Sequence, residues 1–284
     1  MSGRYLLGCS VLIGAIGWGA APVLAAPFFF STGSPDGKIA TLSRPASAGK
    51  LETETADDFV TTVPTIINSA TFTGLLVGGA TPANITGVEI ELYHVFPLAS
   101  INPPDGRVLT RVNSPSDNQF AAADSALGQL SFTATVLNPT FTAANSVVNG
   151  IHAIPNQFTG GEGAVTGEEV QFNVTFTTPF TLGADHVFFR PEVGLGSAGD
   201  FLWLSAPKPI VAPGTPFTPD LQSWIRNDGP MALAPDWSRI GTDITHQGPF
   251  NAAFSLSGTV PEPATLSLLA LGAALTLAGR RRRG

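Results

Sequence analysis

Two pairs of adjacent carboxylates are the side chains of this sequence that could most readily carry out catalysis. Asp57 and Asp58 form one pair, and Glu168 and Glu169 form the other. Hydrolysis of a glycosidic bond needs two carboxyl groups roughly 5–9.5 Å apart, one of them with a pKa raised by an apolar setting. Neighbouring residues of a strand point to opposite faces of a sheet, so neither pair forms such a dyad by itself. A catalytic pair would have to come from two different strands.

A structural calcium site is an alternative use of Asp57 and Asp58. Carboxylates and loop carbonyls are the ligands that Ca²⁺ prefers, and such an ion would stabilise a sandwich that lacks disulfides. No Asp-x-Asp-x-Asp loop supports this interpretation, and the simpler one is that both aspartates are solvated. We therefore predict no cofactor, with a structural Ca²⁺ at this pair as the alternative.

Other arrangements that carry catalysis are absent from the sequence. The four histidines are widely scattered, and there is no His-Glu-x-x-His helix, phosphate loop or Gly-x-Ser-x-Gly elbow. Cys9, the single cysteine, lies in the apolar N-terminal segment, so the chain beyond that segment has no thiol nucleophile, thiolate zinc site or redox pair. We expect no catalytic residue and no enzymatic activity.

Tryptophan side chains suggest a different kind of site, because a flat ring with an N–H can stack on a sugar. Trp203 lies in the almost wholly apolar run Phe201–Leu204, which predicts a core position. Trp224 lies in an alternating segment and Trp237 in loop-like sequence, so these two are the candidates for carbohydrate contact. Packing beneath a loop is an equally good interpretation of Trp237.

The last 25 residues combine three features in a fixed order. Pro261-Glu262-Pro263 is followed by 16 uncharged residues from Ala264 to Gly279, and then by the cluster Arg280, Arg281, Arg282 and Arg283. As a helix the apolar run would span about 24 Å of a hydrocarbon core about 30 Å thick, and long arginines can snorkel to make up part of the difference. Consecutive arginines stay in the cytoplasm, so this pattern predicts a transmembrane helix with the preceding chain outside. The two prolines hold the tripeptide extended before the helix begins.

This order of elements resembles the PEP-CTERM sorting signal of Gram-negative bacteria. The resemblance covers Val260 to Gly284 and implies that a membrane enzyme, exosortase, recognises Pro261, Glu262 and Pro263. Exosortase would cut near that tripeptide and release or transfer the chain before it. The alternative is an ordinary membrane anchor that is never cleaved. A sortase signal would need Leu-Pro-x-Thr-Gly, which is absent, and a GPI signal normally ends in an apolar tail.

The N-terminus has the features of a secretory signal peptide. Arg4 provides the positive charge, Leu6 to Ala21 is apolar apart from Ser10, and Val23-Leu24-Ala25 has the small residues that signal peptidase requires. We predict cleavage after Ala25, with Ala26 as the alternative. Leu6-Leu7-Gly8-Cys9 resembles a lipoprotein box, but too few residues precede the cysteine to form an upstream hydrophobic region.

The part of the chain between the two processed ends is strongly acidic. Residues 26–262 contain nine basic and 21 acidic side chains, which gives a net charge of −12. A chain of this sign lacks the basic patch that would neutralise phosphates, so we expect no nucleic-acid partner. The acidity is typical of an extracellular protein that must stay soluble.

The middle of the chain has the pattern of an all-β fold. Glycine and proline account for 55 of 284 residues and divide the chain into short segments rich in Val, Ile, Phe and Thr. In Glu169–Thr177 every second residue is apolar, the period expected of a strand with one buried face. Many such strands predict a single β-sandwich, most simply a jelly roll. A division into two domains near residue 150 is the alternative.

We divide the chain by these signals into a signal peptide, a loosely attached N-terminal arm rich in Pro, Gly and Ser, a β-sandwich ectodomain, and the sorting signal, at residues 1–25, 26–50, 51–259 and 260–284. The chain would be exported, held for a time in the inner membrane by its C-terminal helix with the ectodomain in the periplasm, and then delivered to the cell surface or beyond. Signal peptidase and exosortase would be its processing partners.

The resemblance to PEP-CTERM proteins further implies a non-catalytic structural or adhesive role in an extracellular matrix, linked to exopolysaccharide and biofilm. The alternatives are a secreted polysaccharide-acting hydrolase and a lectin-like carbohydrate-binding protein.

Overall fold

The segment Glu169–Thr177, in which apolar and polar residues alternate, folds as the strand that the sequence predicts. In the computed structural model Val170, Phe172 and Val174 are buried, whereas Asn173 and Thr175 are exposed. A strand with one apolar face gains by covering that face with a second layer. Strands of this kind dominate the molecule, and the prediction of an all-β fold is confirmed.

The structure describes residues 25–47, 49–96, 112–148, 159–228 and 237–261. Within these ranges the strands, in chain order, are β1 (Ala26–Ser31), β2 (Ile39–Leu42), β3 (Glu52–Thr61), β4 (Thr65–Val77), β5 (Gly87–His94), β6 (Ala121–Asp124), β7 (Leu130–Ala143), β8 (Asn145–Val147), β9 (Val165–Leu182), β10 (Asp185–Gly194), β11 (Asp200–Ala206), β12 (Trp224–Asp228), β13 (Ser238–Arg239), β14 (Asn251–Ala252) and β15 (Phe254–Val260). A 3₁₀ turn at Pro82–Asn84 and a π-helical turn at Ile240–Ile244 are the helical elements of the described residues.

The strands form two sheets that pack on each other. The larger sheet has the order β1-β15-β4-β11-β2-β8, with β9 on the other side of β4 and β7 beyond β9, and β14 beside β11. The smaller sheet has the order β13-β12-β3-β10-β5-β6. All named pairs are antiparallel except β2 with β8, which is parallel. The sheets are not closed into a barrel, and the jelly-roll part of the prediction stays a prediction.

The main core lies between the two sheets and is rich in phenylalanine. Phe72 and Phe172 of the larger sheet stack with ring centroids 4.7 Å apart. Phe189 of the smaller sheet stacks on Phe254 of the larger one at 5.0 Å, and Trp203 packs edge-on against the same ring. Aromatic pairs at these distances add to the free energy gained by burying their area. This core therefore fixes the two sheets to each other.

The expectation of a loosely attached N-terminal arm at residues 26–50 is wrong. β1 pairs along its whole length with β15, and β2 lies between β11 and β8 with all four of its residues buried. Phe30 of β1 packs against Phe59 and Phe254 in the main core. The Pro, Gly and Ser residues of this segment mark turns between buried strands, which composition alone does not distinguish from a linker.

Residues Ala26–Pro261 form one compact unit that contains both sheets. The strand region thus begins at residue 26 and its last strand ends at Val260. Within the described ranges we find no helix with both the length and the apolar character needed to span a bilayer. The predicted C-terminal transmembrane helix and all but the last residue of the predicted signal peptide lie outside the described residues.

Candidate functional site

The last strand of the sandwich leads directly into the predicted sorting signal. β15 ends at Val260, and Pro261, the first residue of the Pro-Glu-Pro tripeptide, follows it in an exposed position. β15 pairs with β4 on one side and with β1 on the other, and Val260 lies opposite Ala26. No linker separates the folded unit from the tripeptide, because proline ends the strand at the point where the motif begins.

The first residue after the predicted signal-peptidase site thus lies opposite the last residue before the motif. Ala25, the predicted cleavage residue, is exposed. The remaining residues of the sorting signal, Glu262, Pro263, Arg280, Arg281, Arg282 and Arg283, lie outside the described part of the chain.

Asp57 and Asp58 are both buried, so the prediction that they are solvated is wrong. Asp57 accepts hydrogen bonds from the Ser223 hydroxyl at 3.0 Å and from the Ala252 backbone N–H at 2.9 Å. Asp58 Oδ2 lies 2.6 Å from His186 Nε2 and accepts a bond from the backbone N–H of Leu221 at 3.0 Å. The two side chains have separate partners, as expected for neighbours that point to opposite faces of β3.

Burial, joined by the neighbouring Asp58 carboxyl, raises the pKa of Asp57 well above its ordinary value. Burial also raises the pKa of Asp58, although the hydrogen bond with His186 opposes the change. A calcium site needs six to eight oxygen ligands. Protein donors already occupy three of the four carboxylate oxygens here, and no group of three or more His, Cys, Asp or Glu in the described ranges could hold a metal. The pair does not fit Ca²⁺; it connects β3 to the segments around Ser223 and Ala252.

A second group of charged side chains lies on the face of the smaller sheet that points away from the main core. We call it the glutamate–arginine cluster: Glu52 and Glu54 of β3, Glu89 and Glu91 of β5, Arg190 and Glu192 of β10, and Arg226 of β12. The strand register assembles it, because Arg190 lies directly opposite Glu91 and Arg226 directly opposite Glu54. Cross-strand neighbours of opposite charge attract each other at this spacing.

Arg190 is the centre of the cluster. Its Nη2 lies 2.5 Å from Glu54 Oε1, 2.8 Å from Glu91 Oε2 and 3.2 Å from Glu52 Oε1. Its Nη1 lies 2.8 Å from Glu192 Oε2 without the alignment of a hydrogen bond, so that contact is mainly electrostatic. The guanidinium therefore occupies the space between the glutamates that a cation would otherwise take.

A second arginine and a tyrosine complete the cluster. The Nε of Arg226 donates to Glu54 Oε2, and its guanidinium lies 4.6 Å from the centroid of the Trp237 ring. The Tyr93 hydroxyl lies 2.8 Å from Glu54 Oε1 and is also within hydrogen-bond distance of Glu91, and these two carboxylates compete for its single proton. Arg226 also donates to the backbone carbonyl of Asp117, which connects the cluster to the segment that precedes β6.

The glutamates of the cluster differ in their protonation. Burial acts to raise the pKa of Glu54, but the charges of Arg190 and Arg226 outweigh it and the pKa is lowered. Burial raises the pKa of Glu192 well above its ordinary value despite Arg190. Burial also raises the pKa of Glu89, to about 7. Glu54, which favours the ionised form, and Glu192, which favours the protonated form, both contact Arg190. Both side chains are buried.

The two candidate carbohydrate-contacting tryptophans are also buried, so of the two interpretations left open for Trp237 the structure supports packing within the protein. Trp237 packs edge-on against Tyr93, and its indole N–H donates to the Ser116 carbonyl at 3.2 Å. Trp224 belongs to the same small cluster of buried residues as Trp237. Trp203 lies in the main core, as its sequence predicts. Neither Trp224 nor Trp237 offers a ring face to a ligand.

The remaining sequence candidates do not converge on one site. Glu168 and Glu169 are half-buried on β9, in the other sheet from the cluster. His94 lies 3.0 Å from Asp185, and His186 belongs to the Asp58 contact described above. His152 lies outside the described residues. The sequence analysis missed the glutamate–arginine cluster, although acidic residues two apart in two strands, at 52 and 54 and at 89 and 91, predict a charged sheet face.

Comparison with known proteins identifies the C-terminus. Residues 259–283 match the family model described as the PEP-CTERM protein-sorting motif. The match begins at Thr259, within the last two residues of β15, and so includes the junction between the sandwich and Pro261. A search of curated proteins and a search of solved structures found no match. The chain therefore carries a PEP-CTERM protein-sorting motif at its C-terminus, and this motif supports an exported protein that exosortase sorts.

Proposed function

We propose that this chain is a non-catalytic structural or adhesive protein of the cell surface or the extracellular matrix, linked to exopolysaccharide. Signal peptidase cuts after Ala25, the C-terminal helix holds the ectodomain at the inner membrane for a time, and exosortase then cuts near Pro261, Glu262 and Pro263. The product is the β-sandwich, delivered outside the cell.

The observation that carries this proposal is the junction between β15 and the sorting motif. The last paired residue is Val260 and the Pro-Glu-Pro tripeptide begins at the next position, so a cut within the tripeptide removes no residue of either sheet. The side chains that would serve a hydrolase are engaged within the protein, because Asp57, Asp58, Glu54 and Glu192 are all buried among protein partners. Both features are what a delivered structural domain needs.

Intact-mass analysis of the protein from membrane and culture medium of its native host tests the processing. We expect a membrane form that retains the four arginines and an external form that begins at Ala26 and ends within or next to the tripeptide. Replacing Glu262 with Ala should abolish the external form. A full-length C-terminus in the external protein would contradict the proposal, and the chain would then be a permanently anchored surface protein.

A polysaccharide-acting hydrolase is the second candidate, and one observation favours it. The environments of Glu54 and Glu192 move their pKa values in opposite directions, as acid and base catalysts require. The variants E54Q, E91Q and E192Q, each assayed against a polysaccharide panel, test this function. Activity that no single glutamate controls would exclude the cluster as a catalytic site.

A further inference from the structure

Charge is distributed very unequally between the two sheets. The adjacent strands β7, β9, β4, β15 and β1 of the larger sheet contain only Glu168 and Glu169 as charged residues. The smaller sheet carries the glutamate–arginine cluster and the Asp57–Asp58 pair. Within a segment whose net charge is −12, the larger sheet thus has an outer face that is nearly free of charge.

The strand register arranges short polar side chains in rows across this face. One row consists of Ser131, Thr175, Ser69, Ser257 and Phe29, and the next of Thr133, Asn173, Thr71, Ser255 and Ser31. Residues that alternate with them, such as Phe72, Phe172 and Leu256, lie in the core, so these rows face outward. With strands about 4.8 Å apart the face is roughly 19 Å wide, and its rows are about 7 Å apart.

Two exposed apolar side chains border a groove on this face. Phe29 of β1 is 58% exposed and Leu137 of β7 is 51% exposed. They line a groove of ≈ 420 Å³ together with Thr71, Gln171, Ser255 and Glu169. The hydroxyl oxygens of Thr71 and Ser255 lie 2.6 Å apart, so the hydroxyl groups are already oriented by contacts within the sheet.

The chemistry of this groove fits a neutral polyhydroxyl ligand. Hydroxyl and amide side chains both donate and accept hydrogen bonds, as sugar hydroxyls do. Phe29 and Leu137 offer apolar surface for the C–H faces of sugar rings. A polyanion would be repelled by the net charge of −12, and a polycation would be drawn to more acidic parts of the surface. A protein partner fits poorly, because the centres of protein interfaces are depleted in serine.

We propose that the outer face of the larger sheet binds a neutral polysaccharide chain along the groove between Phe29 and Leu137. This inference rests on the proposed function, since a protein that adheres to exopolysaccharide needs a surface for that polymer. It places the contact on the sheet face, away from the buried tryptophans that the sequence suggested.

Binding is measured on purified residues 26–261, which contain both sheets and their cores. The probes are insoluble cellulose in sedimentation, and soluble dextran and mannan in affinity electrophoresis, with alginate as the acidic polysaccharide. We expect binding to at least one neutral polymer and none to alginate. Phe29→Ala, which removes the ring, and Thr71→Glu, which adds a charge inside the groove, should each weaken the dissociation constant about tenfold or more, or ~1.4 kcal/mol.

Matched controls carry the same changes at positions away from this face. Leu127→Ala alters an apolar side chain that is 72% exposed, and Thr62→Glu adds a charge to an exposed turn. Both should leave the dissociation constant within about twofold, as surface substitutions usually do. Absence of binding to all three neutral polymers, a preference for alginate, or binding that Phe29→Ala and Thr71→Glu leave unchanged would each overturn the proposal. None of these results bears on the intact-mass test, so a failure of the groove is distinguishable from a failure of processing.

Discussion

Ala26 and Val260 lie opposite each other in the antiparallel ladder of β1 and β15. The first is the residue that follows the predicted signal-peptidase site, and the second is the residue that precedes the Pro-Glu-Pro tripeptide. The folded unit therefore begins and ends in the same strand pair. Because β1 contributes Phe30 to the core, β1 belongs to the folding unit and is no extension of it.

Replacing Phe30 with Ala should destabilise the sandwich strongly. The ring is buried against Phe59 and Phe254, and its removal leaves a cavity between the sheets. We expect a loss of about 3–5 kcal/mol in the free energy of unfolding, measured by urea denaturation of residues 26–261. Phe29→Ala, one residue away on the exposed face of the same strand, is the control and should cost less than about 1 kcal/mol. Equal losses for the two variants would contradict the burial of β1.

Removing the central cation of the glutamate–arginine cluster should lower the free energy of unfolding more than removing a surface cation. Arg190→Met leaves Glu54, Glu91 and Glu192 buried near one another without their shared partner. Loss of one partner from a buried ion pair typically costs about 3–5 kcal/mol. The loss should be smaller at pH 5 than at pH 8, because protonation of the glutamates relieves their repulsion.

Lys38→Met is the control for Arg190→Met, since the Lys38 side chain is 71% exposed and contacts a single carboxylate of the described residues, that of Asp36, at 3.3 Å. Thermal or urea unfolding of both variants at the two pH values provides the measurement. A loss for Arg190→Met that does not depend on pH would indicate that the side chain matters through its packing alone.

Asp57→Asn should make the stability of the protein less dependent on pH. The folded-state pKa of Asp57 is raised above the unfolded value of about 3.9, by burial and by Asp58. The folded state therefore holds the proton more tightly, and this contribution to stability is lost as the pH rises from about 4 through the raised pKa. An asparagine can keep the contacts, since its oxygen accepts from Ala252 and its amide donates to Ser223.

The measurement for Asp57→Asn is urea unfolding of the variant and the wild type between pH 4 and pH 8. The stability of the variant relative to the wild type should increase with pH across this interval. Each pH unit by which the Asp57 pKa is raised contributes about 1.4 kcal/mol to that increase. A difference that stays constant with pH would show that Asp57 is ionised in the folded protein throughout.

Tryptophan fluorescence of residues 26–261 should report a shielded environment. Trp203, Trp224 and Trp237 are all buried, so emission should be blue-shifted and acrylamide should quench it weakly until the protein unfolds. Addition of a bound polysaccharide should leave the emission nearly unchanged, because the proposed groove contains no tryptophan. A ligand-induced shift in emission would instead favour a site at Trp224 or Trp237.

The strand pattern was predictable because burial along a strand has a period of two residues. Alternation in Glu169–Thr177 was enough to predict which side chains of β9 point into the core. The same rule did not place β1 and β2, whose short runs lie among the Pro, Gly and Ser residues of turns. It also failed at Asp57 and Asp58 and left Trp237 undecided, because a polar or loop-like residue is buried only when partners from elsewhere in the chain cover it.

The sequence by itself determined the sorting signal, the all-β class and the inward faces of the longer strands. Each of these depends on residues close together in the chain, through motif order, charge and local periodicity. Only the tertiary structure decided that Arg190 and Arg226 meet the glutamates of β3 and β5, and that strands with few charged residues lie side by side in the larger sheet. Those features depend on which strands are neighbours and in what register. Strand order and register are set by the packing of the whole core, and no local segment encodes them.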